Sequence, residues 1–348
     1  MLDDRQSKIL IAVVCDYITT ADPVGSRTIA RKYGFGLSPA TIRNIMADLE
    51  DMGFLTQPHT SAGRVPTDRG FRFYVDRLDL FQKSLEELTS SQIEGVLHSE
   101  TELGNLIKKA TDLLSQLSNQ AGLVLGPNLK NTICRHIDFI KLNNSQVLVI
   151  FIAESGLVHK RVIVLEEEIS QDVFDKMSKL ITTELMGLSL AKIRAKLVGM
   201  MENEKSQFDH LYAQAIKLSQ QFFDDEDQDE SELYVGGTFN MISQPEFMDV
   251  EKMRHLFKAF EEKRLLIHIL DECLGEDPDG TRVIIGEENL VDDMQDLSFV
   301  LSSYKYGDRS LGVIGIIGPK RMNYTQVIPI VEYTANTVSR LLTERIEV

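Results

Sequence analysis

A serine–proline step opens the stretch that most constrains this chain, SPATIRNIMADLEDMGFLTQPHTSAGRVPT at residues 38–67. Ser38 is a helix-capping residue, and Pro39 suits the first helical position, where no backbone donor is needed. Ile42, Ile45, Met46, Leu49 and Met52 then recur at the spacing of one helix face. Gly53 breaks the pattern. FLTQPHTSAGRVPT reads as a strand, a loop tipped by Ser61-Ala62-Gly63-Arg64, and a returning strand. Thr67 caps a further helix with Phe71, Tyr74, Val75, Leu78 and Phe81 as its apolar positions.

Two helices precede this stretch. Asp4 to Thr19 has a buried face of Leu10, Val13, Tyr17 and Ile18, and Pro23 disfavours helix at Asp22. Ser26 is a capping residue for RTIARKYG, which Gly34 stops. Three helices followed by a hairpin make a winged helix-turn-helix, whose third helix enters a major groove while the wing lies on phosphate or the minor groove. On that third helix Ala40, Asn44 and Ala47 point away from the apolar face, with Thr41 and Arg43 on its flanks. Alanines permit close approach, and Asn and Arg present paired hydrogen-bonding groups to adenine and guanine edges. A plain solvated face is built from the same residue types, so the helix alone leaves both readings open. The expected DNA contacts are Ser26, Arg27, Ser38, Ala40, Thr41, Arg43, Asn44, Ala47, His59, Ser61 and Arg64. Arg64 is expected against phosphate at the loop tip; His59 is either near phosphate or simply exposed.

Charge is distributed in the same sense. The chain has a formal net charge of −16, yet residues 1–80 hold ten Lys+Arg and ten Asp+Glu. Val24 to Ala47 contains Arg27, Arg31, Lys32 and Arg43 and no acid. Asymmetry of this kind points to different partners for different segments.

SPATIRNIMADLEDMGFLTQPHTSAGRVPTDRGFRFYVD resembles the amino-terminal signature of the HrcA family, the heat-inducible transcription repressors of bacteria. The likeness continues at ISQPEF and at IGPKRMNY (Ile317 to Tyr324), so it spans essentially the whole chain. The resemblance implies a homodimer binding double-stranded DNA at an inverted-repeat operator, CIRCE, upstream of chaperone genes. It also implies a GroEL-type chaperonin as the partner that restores activity after heat.

Beyond the first eighty residues the pattern is mixed. Residues 82–118 are helical, with Leu85, Leu88, Leu103, Leu106, Ile107, Leu113, Leu114 and Leu117, and are expected to connect the reading head to the body. GLVLG, CRHIDFIKL, SQVLVIFIA and LVHKRVIVL read as four strands, with a tight turn at Asn143-Asn144 between the second and third. Ser170 caps a helix running to about Met186. TRVIIG, DLSFVLSSY and RSLGVIGIIGP are strand-like, and Tyr324 to Glu347 is an amphipathic helix. The glycines of RSLGVIGIIGP suit close packing of a buried strand.

Two batches of strands around a helical stretch predict an α+β multidomain chain in which one domain is split by an insertion. The expected units are 1–90 (winged helix-turn-helix with linker helix), 91–192 with 280–348, and 193–279. By resemblance the split unit is GAF-like, similar to the effector domain of IclR-type regulators, and the insertion is the dimerisation domain. Leu197, Met200, Met201, Phe208, Leu211, Leu218 and Phe222 are its apolar set. The acidic run Asp224, Asp225, Glu226, Asp227, Asp229, Glu230 and Glu232 reads as a solvated loop, with a chaperone contact as the alternative.

Enzyme chemistry finds no support. GxxxxGK[ST], HExxH, CxxC and GxSxG are absent, and DPDG at 277–280 reads as a turn rather than a calcium loop. Cys134 and His136 would share a strand face, but no third group orients them. Three separated cysteines fit free thiols in a reducing cytoplasm. No apolar run reaches the ~18 residues of a membrane span, and the acidic start is unlike a signal peptide. No cofactor and no metal are expected. The alternative function is an IclR-like, metabolite-responsive regulator with a ligand in the GAF-like domain, to be recognised by a pocket of several hundred Å³.

Overall fold

The computed structural model describes residues 2–60, 62–78, 87–100, 102–127, 132–165, 167–203, 210–223, 232–247, 250–276, 280–289 and 291–346. Helix α1 (Asp4–Thr20) begins with a reciprocal cap: the Asp3 carboxylate accepts from Gln6 N at 2.7 Å, and Gln6 Oε1 accepts from Asp3 N at 3.1 Å. Helices α2 (Ser26–Lys32) and α3 (Pro39–Asp51), a hairpin of β1 (Leu55–Thr56) and β2 (Val65–Pro66), and α4 (Asp68–Val75) complete the head. Ile9, Leu10, Val13, Ile29, Ile42, Met46, Leu49, Phe54 and Phe71 are buried together beneath it. Three details differ from expectation. Gly25, not Ser26, occupies the cap of α2, and Ser26 is the first helical residue. Met52 is exposed because α3 has already ended at Asp51. Leu78 lies beyond the end of α4, and Phe81 falls outside the described residues.

Helices α5 (Glu87–His98) and α6 (Leu103–Ser118) are part of the body rather than a free connector. Glu94 of α5 accepts from Tyr333 Oη at 2.7 Å and from Arg340 Nη2 at 2.9 Å, both on α13 (Tyr324–Ile346). Leu106, Ile107, Leu113 and Leu114 are buried as expected, whereas Leu88 is exposed.

The body is an antiparallel sheet of β3 (Ala121–Leu125), β7 (Leu233–Gly236), β8 (Thr281–Ile285), β9 (Leu297–Tyr306) and β10 (Arg309–Pro319), in the order β7-β3-β10-β9-β8. Strand alternation sends Val124, Val300, Ile314 and Ile316 toward α6 and α13. Leu123, Leu125, Phe299, Val313 and Ile317 go to the other face, against α10 (Thr238–Ile242) and α12 (Lys263–Glu276), with α11 (Val250–Glu261) packed on α12. Gly312 of β10 sits where a Cβ would lie 2.2 Å from Leu125 O, so the glycine there answers to close packing.

A second sheet, β4 (Cys134–Asn143), β5 (Gln146–Ala153) and β6 (Val158–Val164), is an antiparallel meander with a core of its own. Ile137, Phe139, Val149, Phe151, Phe174, Leu197, Leu218 and Phe222 fill it, drawing on α7 (Gln171–Leu185), α8 (Leu190–Asn203) and α9 (His210–Phe223). Helix α7 runs along β4 and satisfies its free edge: Thr182 Oγ1 and Ser178 Oγ accept from Ile137 N and Phe139 N at 3.0 Å, and Gln171 Oε1 accepts from Lys141 N at 2.8 Å. An exposed edge would otherwise invite pairing with another chain.

The grouping therefore differs from the expected division into 91–192 with 280–348 and an insertion at 193–279. The chain leaves the five-stranded sheet after β3, builds the meander with α7 to α9, and re-enters as β7 beside β3. Helices α10 to α12, expected in the insertion, sit with the five-stranded sheet or its neighbours. Alternation fixes which face a strand buries but not which sheet it joins. The β4–β5 turn is Asn144-Ser145, one residue later than read. A register shift between Cys134 and His136 buries the thiol and turns the imidazole elsewhere, so the two do not share a face. Ser170 stands at the cap position of α7 without a side-chain cap bond. Of the acidic run only Glu232, and of DPDG only Gly280, lies among the described residues. Among them no helix is long and apolar enough to cross a membrane.

Candidate nucleic-acid interface

Helix α3 is capped as its sequence dictates. Ser38 Oγ accepts from Thr41 N at 3.1 Å and lies 2.9 Å from Thr41 Oγ1, so these two expected contacts are joined to each other. Ala40, Thr41, Arg43 and Asn44 are exposed and Ala47 is half-buried. Among the described residues neither Arg43 nor Asn44 has a side-chain hydrogen-bonding partner. The helix is polarised. Its first two turns carry no acid, whereas Asp48, Glu50 and Asp51 cluster in the last. The acid-free end is also the positive end of the helix dipole, so only that end suits a polyanion.

Asp16 and Lys32 hold α2 in place. Asp16 is buried on α1 and its carboxylate accepts from Lys32 Nζ at 2.6 Å. That hydrogen bond raises the Lys32 pKa and keeps it charged. Nearby, Cys15 Sγ donates to Tyr74 Oη at 3.6 Å, and burial pushes the pKa of both groups up, so the pair is neutral. Arg27 and Arg31 are exposed on α2. Arg31 was not among the expected contacts, although it belongs to the acid-free run that marked its neighbours.

Val24, two residues before α2, is bridged to the hairpin: Val24 N donates to Arg64 O, and Arg64 N to Val24 O, each at 2.9 Å. Gly63 lies so close to the Val24 backbone that a Cβ would fall 2.5 Å from its carbonyl. Ser26 and Arg27 are thereby brought beside the base of the hairpin. This corrects the placement of Arg64. It sits at the base, not the tip, with Nε donating to Glu50 Oε2 of α3 at 2.8 Å and only 14% of its side chain exposed. The loop itself is braced by Gln57, whose Nε2 donates to Thr60 O and Ala62 O at 3.2 and 2.9 Å. His59 is exposed on it, and Ser61 lies outside the described residues.

A cleft of about 530 Å³ lies between head and body, lined among others by Tyr17, Asp68, Glu246, Lys320 and Arg321. It is not inside the five-stranded sheet, where a GAF-type ligand was expected, and Lys320 and Arg321 are paired with Asp68 and Glu246.

The family profile described as the HrcA protein C-terminal domain matches residues 104–328. The chain is 44% identical over 342 residues to the heat-inducible transcription repressor HrcA of Geobacter sulfurreducens, covering 98% of each chain. It is 42% identical over 344 residues to the protein of that name from Syntrophobacter fumaroxidans, covering 99% of this chain and 98% of the other. Its mixed α/β fold is similar to the crystal structure of a hypothetical protein at 2.2 Å resolution, with a TM-score of 0.66, 23% identity, and 99% and 100% of the two chains covered. By the match across residues 104–328 and the identity over nearly its full length, this chain belongs to the HrcA family of heat-inducible transcription repressors.

Proposed function

We propose that the head is a winged helix-turn-helix and that the chain acts as a homodimer on an inverted-repeat operator of the CIRCE type. The observation that carries this reading is the first two turns of α3: acid-free, positively polarised, and displaying Arg43 and Asn44 exposed. Arg43 and Asn44 would read base edges from the groove. Ala40 and Ala47 would permit the approach, and Ser26, Arg27, Ser38, Thr41, His59 and Ser61 would meet phosphates. Arg64 is set apart as a brace between hairpin and α3.

Two-fold pairing is supported by the outer face of the β4–β5–β6 sheet. The ladders align Ile140, Leu148 and Val162 in one row and Ile152 and Val158 in another. Ile140, Leu142, Val158, Val162 and Val164 are 37–70% exposed. An aliphatic face of this kind, doubled by a two-fold axis, is self-complementary. Of the apolar set expected to pair, Leu197, Leu218 and Phe222 are consumed in their own core with Met200 packed against it, Phe208 lies outside the described residues, and the side chains of Met201 and Leu211 are likewise not described. In this reading the units are the head, the five-stranded GAF-like body, and an inserted dimerisation unit formed by β4 to β6 with α7 to α9. A GroEL-type chaperonin would act on the folded fraction of the repressor.

The test is equilibrium binding of the full-length protein to an inverted-repeat duplex, a single half-site and a scrambled duplex. Preference for the inverted repeat over both others is expected. Equal affinity for inverted repeat and scrambled sequence would refute the reading.

A further inference from the structure

Segments that carry the family resemblance but have no part in reading DNA meet at one place. They are the start of α4, ISQPEF, and IGPKRMNY, and they converge on the joint between head and body. The Asp68 carboxylate lies 2.8 Å from Lys320 Nζ and also accepts from Glu287 N at 2.9 Å. Arg72 Nε donates to Glu288 Oε1 at 2.7 Å, and its Nη2 donates to Val283 O at 2.6 Å. Arg321 pairs with Glu246, with Nη2 3.2 Å from Oε2, while its Nη1 donates to Ile18 O near the end of α1 at 3.1 Å. Phe71 lies 6.5 Å, ring to ring, from Tyr324, whose hydroxyl is fixed by Ser298 Oγ and Lys320 O. Gly286 follows β8 at φ 53°, where a Cβ would sit 2.0 Å from the Asp68 carboxylate. Only glycine allows that approach.

These ion pairs are partly covered, with 14–38% of each side chain exposed, and the desolvation of such charges offsets much of their attraction, so each contributes little stability by itself. Their placement matters more. On the head they hold the end of α1 and two successive turns of α4. On the body they come from the turn after β8, the segment between β10 and α13, and the turn after α10. Anchors on three separate elements remove the hinge rotation that one or two would leave. None of them touches the outer face of α3, which stays exposed while the head is held.

We propose that Asp68, Arg72, Glu246, Glu288, Lys320 and Arg321 are positioning residues for operator recognition. They fix the direction in which each head presents α3, so that the two heads of a dimer fit half-sites at one spacing. This rests on the homodimeric reading above. Linking two binding events gains affinity only where geometry lets both engage, and a stiff joint concentrates that gain at one spacing. Loosening the joint spreads the heads over many orientations while leaving each α3 surface intact.

The experiment compares full-length wild type, Glu288→Gln and Lys320→Met on duplexes whose half-sites are moved apart in single base-pair steps, and on a single half-site. Thermal unfolding and sedimentation run in parallel. Wild type should show one sharp spacing optimum. Each variant should bind the half-site within about twofold of wild type, lose about tenfold at the optimal spacing, and show a flattened spacing profile. A merely structural role would lower half-site and full-site binding together, and that result would overturn the proposal. So would a wild-type-like spacing profile in either variant that remains folded and dimeric. If one variant does not fold, the other decides. A wild type that binds the inverted repeat no better than the single half-site would remove the homodimeric reading itself, whereas a wild type that prefers the inverted repeat at every spacing alike would overturn the stiff joint, which keeps the two failures distinct.

Discussion

Arg43 and Asn44 stand exposed on the second turn of α3, and among the described residues neither side chain has a hydrogen-bonding partner. Replacing either by alanine should cost ~1–3 kcal/mol on the operator and much less on random DNA; titration of both duplexes measures the difference. Arg64 should behave differently. As a largely buried brace to Glu50, its loss as Arg64→Ala should lower stability by about 1 kcal/mol. The salt dependence of operator binding should stay as it was, because no phosphate contact is removed. A salt slope reduced by about one would return Arg64 to the DNA. Here the sequence was legible only in part. Ser38, Pro39 and Thr67 announce their caps because a cap needs only its own neighbours in the chain. Arg64 follows Gly63 in sequence as a loop-tip residue would, and only the bridge to Val24 and the reach to Glu50 draw it inward. Cys134 offers a probe at this scale: burial pushes its thiol up to about 12, so it should resist maleimide at pH 8 until the meander opens.

Helix α7 shows how one element can decide the fate of another. By satisfying the β4 edge it leaves β6 as the free edge among the described strands, beside an outer face whose aliphatic rows Ile140–Leu148–Val162 and Ile152–Val158 flank the row Asp138–Ile150–Lys160. Val162→Lys should therefore abolish or weaken dimerisation in sedimentation with little effect on the melting of the unit, since Val162 is 48% exposed in the single chain. A variant dimer as tight as wild type would move the interface elsewhere. His159 on β6 gives the same unit a pH response. Burial holds its pKa below the ordinary value, with Glu232 opposing more weakly. The unfolded chain takes up that proton first, so stability is present above about pH 6.5 and is lost as pH falls below it. His159→Gln should flatten this part of the stability profile in denaturant titrations followed between pH 8 and pH 5. The four strands before α7 were readable from their short apolar and β-branched runs between turn signals; their division between two sheets was not, because a local pattern carries no information about distant partners.

Across the whole molecule the five-stranded sheet is closed by contacts between far-separated residues: Tyr304 Oη donates to Leu125 O across 179 positions. Such contacts form late and leave strand edges open meanwhile. Mild heating should accordingly remove operator binding irreversibly, and a GroEL-type chaperonin present during refolding should raise the active fraction. Stoichiometric titration reports active fraction and the dilute curve reports affinity; a chaperonin effect confined to affinity would contradict this account.

By itself the sequence determined the local facts: helix starts and stops, the hairpin, the polarised α3, the strand faces, and the segments that mark the family. Each is set by residues within a few positions of one another, where capping, turn chemistry and periodicity act. Tertiary structure decided the rest. It chose which sheet each strand joined, withdrew Arg64 from the loop tip, spent Leu197, Leu218 and Phe222 on a private core, and brought α4, Glu246 and Lys320-Arg321 into one joint. These outcomes depend on chain closure over tens to hundreds of residues, where many pairings satisfy the same local pattern and only the joint packing of all of them selects one.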